Sequence, residues 1–235
     1  IDNYTGRMFD HLYQGLCGSE ISVFDFGIHI GWLIHYVILF CSAKPLEGEI
    51  PYAEEERLAA SGAPLLFWYR KNRRLLPWRE NPEPYSVWIS EIMLQQTRVE
   101  AVKPYFARFM EALPTVQDLA ECEEERLLKL WEGLGYYNRV RNMQIAAQTV
   151  MEQYNGELPA DYEKLRELKG IGNYTAGAIA SIAYGIPVPA VDGNVLRILM
   201  RVSADDSDIM KQSVKTKVEQ ALLKVIPADR AGSFN

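Results

Sequence analysis

Cysteine is scarce in this chain. The three residues, Cys17, Cys41 and Cys122, lie far apart with no CxxC-type spacing. That excludes a disulfide framework and leaves no zinc or iron–sulfur motif to read. Free thiols in packed or surface positions fit a reduced compartment, cytoplasmic or nuclear. Long apolar runs are lacking too, since no stretch beyond the first fifty residues could cross a membrane. The run GIHIGWLIHYVILFC, Gly27 to Cys41, is only fifteen residues long and holds two histidines. It has no basic flank of the kind a signal peptide carries. The chain opens on Ile1 rather than Met, so residues 1–53 read as a processed or misassigned start, or an extension, in preference to an anchor.

An excess of positive charge is also missing. Lys and Arg number 25 against 31 Asp and Glu, a net charge of -6, which argues against a wholly basic, phosphate-binding surface. The distribution leaves room for one basic face. RKNRRLLPWR, residues 70–79, holds five cations and no acid, while acids gather at Glu54–Glu56 and Glu121–Glu125.

Strand-like alternation does not persist anywhere after Glu54. Apolar residues instead recur at spacings of three and four, punctuated by Pro, Gly and Asn. This predicts an all-α fold, with helices near 54–72, 86–97, 99–111, 115–120, 123–133, 138–154, 161–167, 174–184, 194–202 and 211–225.

The most specific local signal is LRELKGIGNYTAGAIASIAY, residues 165–184. A helix end meets the turn Lys169-Gly170-Ile171-Gly172, and a second helix rich in small residues follows. Two glycines permit positive φ and a close approach of the backbone. The unpaired N–H groups and dipole of the second helix make an anion site suited to a DNA phosphate. The turn alone is read equally well as a plain helical hairpin.

Two carboxylates stand out by contrast. Glu91 lies in SVWISEIMLQQT, a helix apolar on every side, on the face of Trp88, Ile92 and Gln95. Desolvation there raises a carboxyl pKa and keeps the acid ready to donate, although a hydrogen-bonded structural glutamate fits the burial as well. Asp192, in AVDGNVLRI, precedes a helix whose positive end favours the anion. A simple helix cap or Asp-Gly turn is the commoner role for such a residue.

LKGIGNYTAGAIASIAYG followed by VPAVDGNVLRI resembles the helix-hairpin-helix and aspartate loop of the endonuclease III superfamily of DNA glycosylases. It resembles the adenine DNA glycosylase branch most. The likeness extends upstream through LPWRENPEPYSVWISEIMLQQTRVEAVKPYFARF and WEGLGYYNRVRN, covering about residues 60–235. It implies a two-lobed helical fold with DNA in the cleft. One lobe is a bundle over 80–194; the other, incomplete here, is built from 54–79 and 195–235.

The resemblance further implies that Glu91 protonates the adenine ring and that Asp192 stabilises or captures the oxocarbenium-like sugar, the two-carboxylate logic of glycoside hydrolysis. It places Tyr174 and Asn194 beside them. Bifunctional members carry a lysine where this chain has Tyr174, so simple hydrolysis is expected. Trp78, Arg79 and Leu94 would help form the base pocket. Gln96, Tyr136 and Arg139 are candidates to enter the duplex where the nucleotide is extruded, with core aromatics and a solvated glutamine as the alternatives. Lys169, Gly170, Ile171 and Gly172 would hold a phosphate. The expected partner is double-stranded DNA with a mismatched adenine, bound by a monomer. A [4Fe-4S] cluster is expected in full-length members, whose four cysteines lie beyond a point equivalent to Asn235. With no metal site in the chain itself, it reads as a fragment, weakly active or inactive alone.

Overall fold

The computed structural model describes residues 54–203 and 205–235. The expectations for residues 1–53, including the apolar run, lie outside the described residues. Among the described residues all regular structure is helical, as expected. The helices are α1 (Glu54–Asn72), α2 (Pro77–Glu80), α3 (Pro84–Leu94), α4 (Val99–Ala112), α5 (Val116–Glu121), α6 (Glu124–Trp131), α7 (Asn138–Tyr154), α8 (Tyr162–Glu167), α9 (Asn173–Tyr184), α10 (Gly193–Ser203), α11 (Gln212–Val225) and α12 (Ala231–Phe234). No helix among the described residues is long and apolar enough to cross a membrane.

The fold is organised around α3. Pro84 opens this helix in its first turn, where a missing N–H is harmless and the fixed φ is already helical. Every residue from Tyr85 to Met93 is then buried. A helix apolar all round needs neighbours on all sides, and α2, α4 and α9 pack around it. Trp88, Ile89 and Met93 join Phe109, Leu127, Trp131, Met143 and Ile179 in one continuous core. A smaller cluster is centred on Leu196, Val218 and Leu222, with Leu58, Val191, Leu199 and Phe234 packed against it.

Helix α9 approaches its neighbours closely because its buried face is small. A Cβ on Gly177 would stand 2.3 Å from the carbonyl oxygen of Pro189, so the segment leading to Asp192 crosses directly over the helix. On the other side α12 lies as close. A Cβ on Gly232 would meet Ile182 Cα and Ser181 O, both at 2.8 Å.

Several helix limits differ from the sequence expectation. Helix α3 ends at Leu94 rather than near 97, because Gln96 takes a left-handed φ of 60°. The short helices α2 and α12, four residues each, went unread since one turn carries no periodicity. The helices at 123–133 and 194–202 shift only at their ends, to Glu124–Trp131 and Gly193–Ser203.

Candidate active site

The centre of the site is Glu91. Its side chain is 3% exposed, and the hydroxyl of Tyr174, from the first turn of α9, donates to Oε2 at 2.9 Å. Arg79, at the end of α2, brings Nη2 to 3.7 Å from Oε1. Three elements thus converge on one carboxyl. Burial pushes its pKa up, and this outweighs the lowering effects of Arg79 and of the Tyr174 hydrogen bond, while the charge of Asp192 pushes it up further. Burial and the adjacent Glu91 also raise the Tyr174 phenol, so the ring stays a neutral donor.

Asp192 sits just ahead of α10, half-buried. Its Oδ1 accepts the backbone N–H groups of Asn194 and Val195, each at 2.9 Å. Its Oδ2 accepts the Asn194 amide at 2.7 Å. The helix-cap alternative is therefore realised, and it aligns the carboxylate rather than competing with a chemical role. Arg197, one turn along α10, donates to Asn194 Oδ1. That arginine was not singled out in the sequence, although its place three residues after Asn194 on a helix is the available signal.

Asn235 was missed as well. Its side-chain oxygen accepts from Ala190 N–H at 3.0 Å, and its Nδ2 donates to Val188 O at 2.9 Å. One carboxamide pairs with the backbone on both sides of Pro189, holding the loop that delivers Asp192 over Gly177. The partner is 45 positions away in sequence, so nothing local announces it.

The hairpin turn differs from the expected pair of left-handed glycines. Gly170 has φ 81° and leaves no room for a side chain, since a Cβ would lie 2.9 Å from Asn142 Cβ. Gly172 is extended, with φ -91° and ψ -179°, and a Cβ there would meet nothing within 4 Å. Its value is the open space and the absence of a capping side chain ahead of α9. Ile171 is 4% exposed and its N–H is bonded to Leu168 O at 3.1 Å. It anchors the turn in the core instead of facing a phosphate. Lys169 is exposed.

Trp78 is placed deep in the core. It is 1% exposed, with its ring edge-on to Phe106 at 5.1 Å between centroids. Leu94 is half-buried against the core. Gln96 and Tyr136 are exposed and lie at one depression of about 350 Å³, lined also by Gln95, Tyr137, Asn138 and Arg139. Arg139 itself turns inward: its guanidinium is spent on backbone carbonyls of the protein. Both terminal nitrogens are thus engaged within the protein.

A buried, protonatable acid and a capped, half-exposed carboxylate stand at one site beside an uncapped helix end. One group is set to hold a proton and the other to stay charged, and the helix end presents N–H groups. A family profile described as HhH-GPD superfamily base excision DNA repair protein matches residues 89–228. The chain is 43% identical over 180 residues to the adenine DNA glycosylase of Homo sapiens, covering 73% of this chain and 33% of that protein. It is 40% identical over 220 residues to the adenine DNA glycosylase of Mus musculus, covering 82% and 43% respectively. It thus spans less than half the length of these relatives. Among solved structures, a non-covalent endonuclease III–DNA complex superposes with a TM-score of 0.64 at 27% identity, covering 77% of this chain and 81% of that one.

Proposed function

Because the chain belongs to the HhH-GPD superfamily of base excision DNA repair proteins, we propose that it hydrolyses the N-glycosidic bond of adenine mispaired with 8-oxoguanine or guanine in double-stranded DNA. The observation that carries the reading is the Glu91 carboxyl, buried and bonded to Tyr174, with Asp192 near enough for its charge to act on both groups. A general acid must hold its proton near neutral pH, and burial is the physical means of doing so.

The roles follow from the settings. Glu91 gives its proton to a ring nitrogen of the extruded adenine as the bond from the base to C1′ breaks, and the bonding electron pair leaves with the base. Asp192, oriented by Asn194, Val195 and the helix end, faces the positive charge that develops on the sugar. Water adds to C1′ and its proton returns to Glu91. Arg79 limits how far the pKa of Glu91 rises. Tyr174 occupies the hairpin position where a lysine would form a Schiff base, which supports hydrolysis without strand cleavage. The first turn of α9, with Gly172 leaving open space before it, supplies N–H groups for a DNA phosphate.

The described residues do not fit an iron–sulfur cluster. Cys122 is the one cysteine among them, and no group of three His, Cys, Asp or Glu side chains among them is placed to hold a metal ion. No step above passes through such a group. The test is release of free adenine from a duplex carrying adenine opposite 8-oxoguanine, with Glu91→Gln and Asp192→Asn as controls. Release by the unaltered chain and loss in both variants is expected. Equal release by all three overturns the assignment, and duplex binding without release by any of them points to a DNA-binding module.

A further inference from the structure

The guanidinium of Arg139 ties together two loops from distant parts of the chain. Its Nη1 donates to the carbonyls of Ile92 at 2.8 Å and Gln95 at 2.7 Å, at the end of α3. Its Nη2 donates to Leu134 at 3.1 Å and Gly135 at 3.3 Å, in the loop after α6. The rings of Trp131 and Tyr136 lie at 5.5 and 5.4 Å from Cζ. The last carbonyls of a helix have no partner within it, so this fork caps α3 while gripping the second loop.

On each loop one of the two gripped carbonyls immediately precedes an unusual residue. Gln96 follows Gln95 with φ 60°, and Tyr136 follows Gly135 with φ 47°. Residues with a Cβ enter this left-handed region at an energetic cost and persist there only when held. Both side chains are exposed, Tyr136 to 67%, and they share one depression. Two costly conformations thus flank the same guanidinium, one on each loop.

We propose that Arg139 is a positioning residue that presents Gln96 and Tyr136 side by side as a wedge for duplex DNA, filling the gap left by an extruded nucleotide. The proposal rests on the reading of the chain as a glycosylase that acts on an extruded base. Arg139 itself touches no DNA. A lysine would keep the charge but, as a point donor on a flexible stem, could not hold both loops with a planar fork.

The test uses the 235-residue chain and a duplex with the fluorescent adenine analogue 2-aminopurine at the target position, quenched while stacked. At equal occupancy the unaltered chain raises the fluorescence. Arg139→Lys is expected to reduce the rise at least tenfold while changing affinity for an unmodified duplex less than threefold. Tyr136→Ala, at an exposed position, should reduce the rise similarly, and adding Arg139→Lys to it should cost little more, because the arginine acts through that side chain.

Melting curves accompany each variant. A loss for Arg139→Lys that merely tracks its unfolded fraction overturns the proposal. So does an undiminished rise in Tyr136→Ala, or a duplex bound by the unaltered chain with no rise at all. Extrusion without release of adenine would remove the hydrolysis reading and leave the wedge standing. Release of adenine with identical fluorescence in the unaltered chain and Arg139→Lys would do the reverse.

Discussion

The hydroxyl of Tyr174 donates to Glu91 Oε2 at 2.9 Å, across 83 positions of sequence. One bond thus joins the first turn of the hairpin's second helix to the buried acid of the central helix. The bond favours the ionised form of Glu91, against the larger effect of burial. Tyr174→Phe removes it, so the pKa of Glu91 should rise further. Adenine release that needs the protonated acid falls as pH passes above that pKa, and in Tyr174→Phe this fall should move to higher pH. The lost bond to the buried carboxyl should also cost about 1–3 kcal/mol of stability. A pH–rate profile together with urea unfolding checks both parts, and an unmoved alkaline limb would show that the hydroxyl does not tune Glu91.

Glu91→Gln separates chemistry from stability. The folded-state pKa of Glu91 lies above its ordinary value, chiefly through burial. Its contribution to stability is therefore fully present below the unfolded pKa and is lost as pH rises through the folded one. Glutamine cannot ionise, and its carbonyl can still accept from Tyr174. The variant should be inactive yet more stable than the parent above neutrality, by about 1 kcal/mol or more, with the difference shrinking as pH falls. Melting temperatures across pH 5–9 measure it. A variant less stable than the parent at every pH would mean that the pairing with Arg79 outweighs burial.

Local pattern carried the fold a long way. The limits of α1, 54–72, and of α7, 138–154, read directly from apolar periodicity, because long amphipathic helices repeat the signal over several turns. Glu91 and Asp192 stood out for a different reason: each sits in a distinctive local setting, all-apolar helix or helix start, and the family resemblance picked them from the other carboxylates. What stayed hidden depends on distant partners. The end of α3 is set by Arg139, 44 residues beyond Gln95, and the burial of Trp78 by Phe106. The loop before Asp192 is held by Asn235. The hairpin glycines looked alike in sequence, yet only Gly170 takes positive φ, and only there would a side chain meet a distant neighbour, Asn142.

Asp192 caps α10 and in the proposed mechanism also faces the reaction, and two substitutions pull these roles apart. Asparagine is as good a cap as aspartate. Asp192→Asn should therefore keep the helix start and lie within about 0.5 kcal/mol of the parent in stability, while adenine release falls at least about 100-fold for want of the negative charge. Asp192→Ala should lose the same activity and also ~0.5–2 kcal/mol of stability with the cap. Denaturant midpoints and single-turnover rates on the two proteins decide it. If Asp192→Asn releases adenine normally, the residue is a cap and nothing more.

The last prediction concerns the crossing at Gly177. This glycine is helical and needs no unusual φ; it is required because Pro189 O would lie 2.3 Å from any Cβ placed there. Gly177→Ala improves helix propensity by about 1 kcal/mol, but the overpacking costs typically 1–3 kcal/mol. The neighbour is backbone and cannot rotate away, so the 185–192 loop must lift and carry Asp192 with it. Displacement of a charged group by a fraction of an ångström lowers the rate of bond cleavage far more than it lowers binding. Gly177→Ala should bind duplex DNA within about threefold of the parent and release adenine at least about tenfold more slowly. Asn235→Leu, which frees the same loop by deleting its two hydrogen bonds, should act in the same direction without the clash. Filter binding and single-turnover kinetics on both variants check this, and a normal rate in Gly177→Ala would mean that the loop yields without moving the carboxylate.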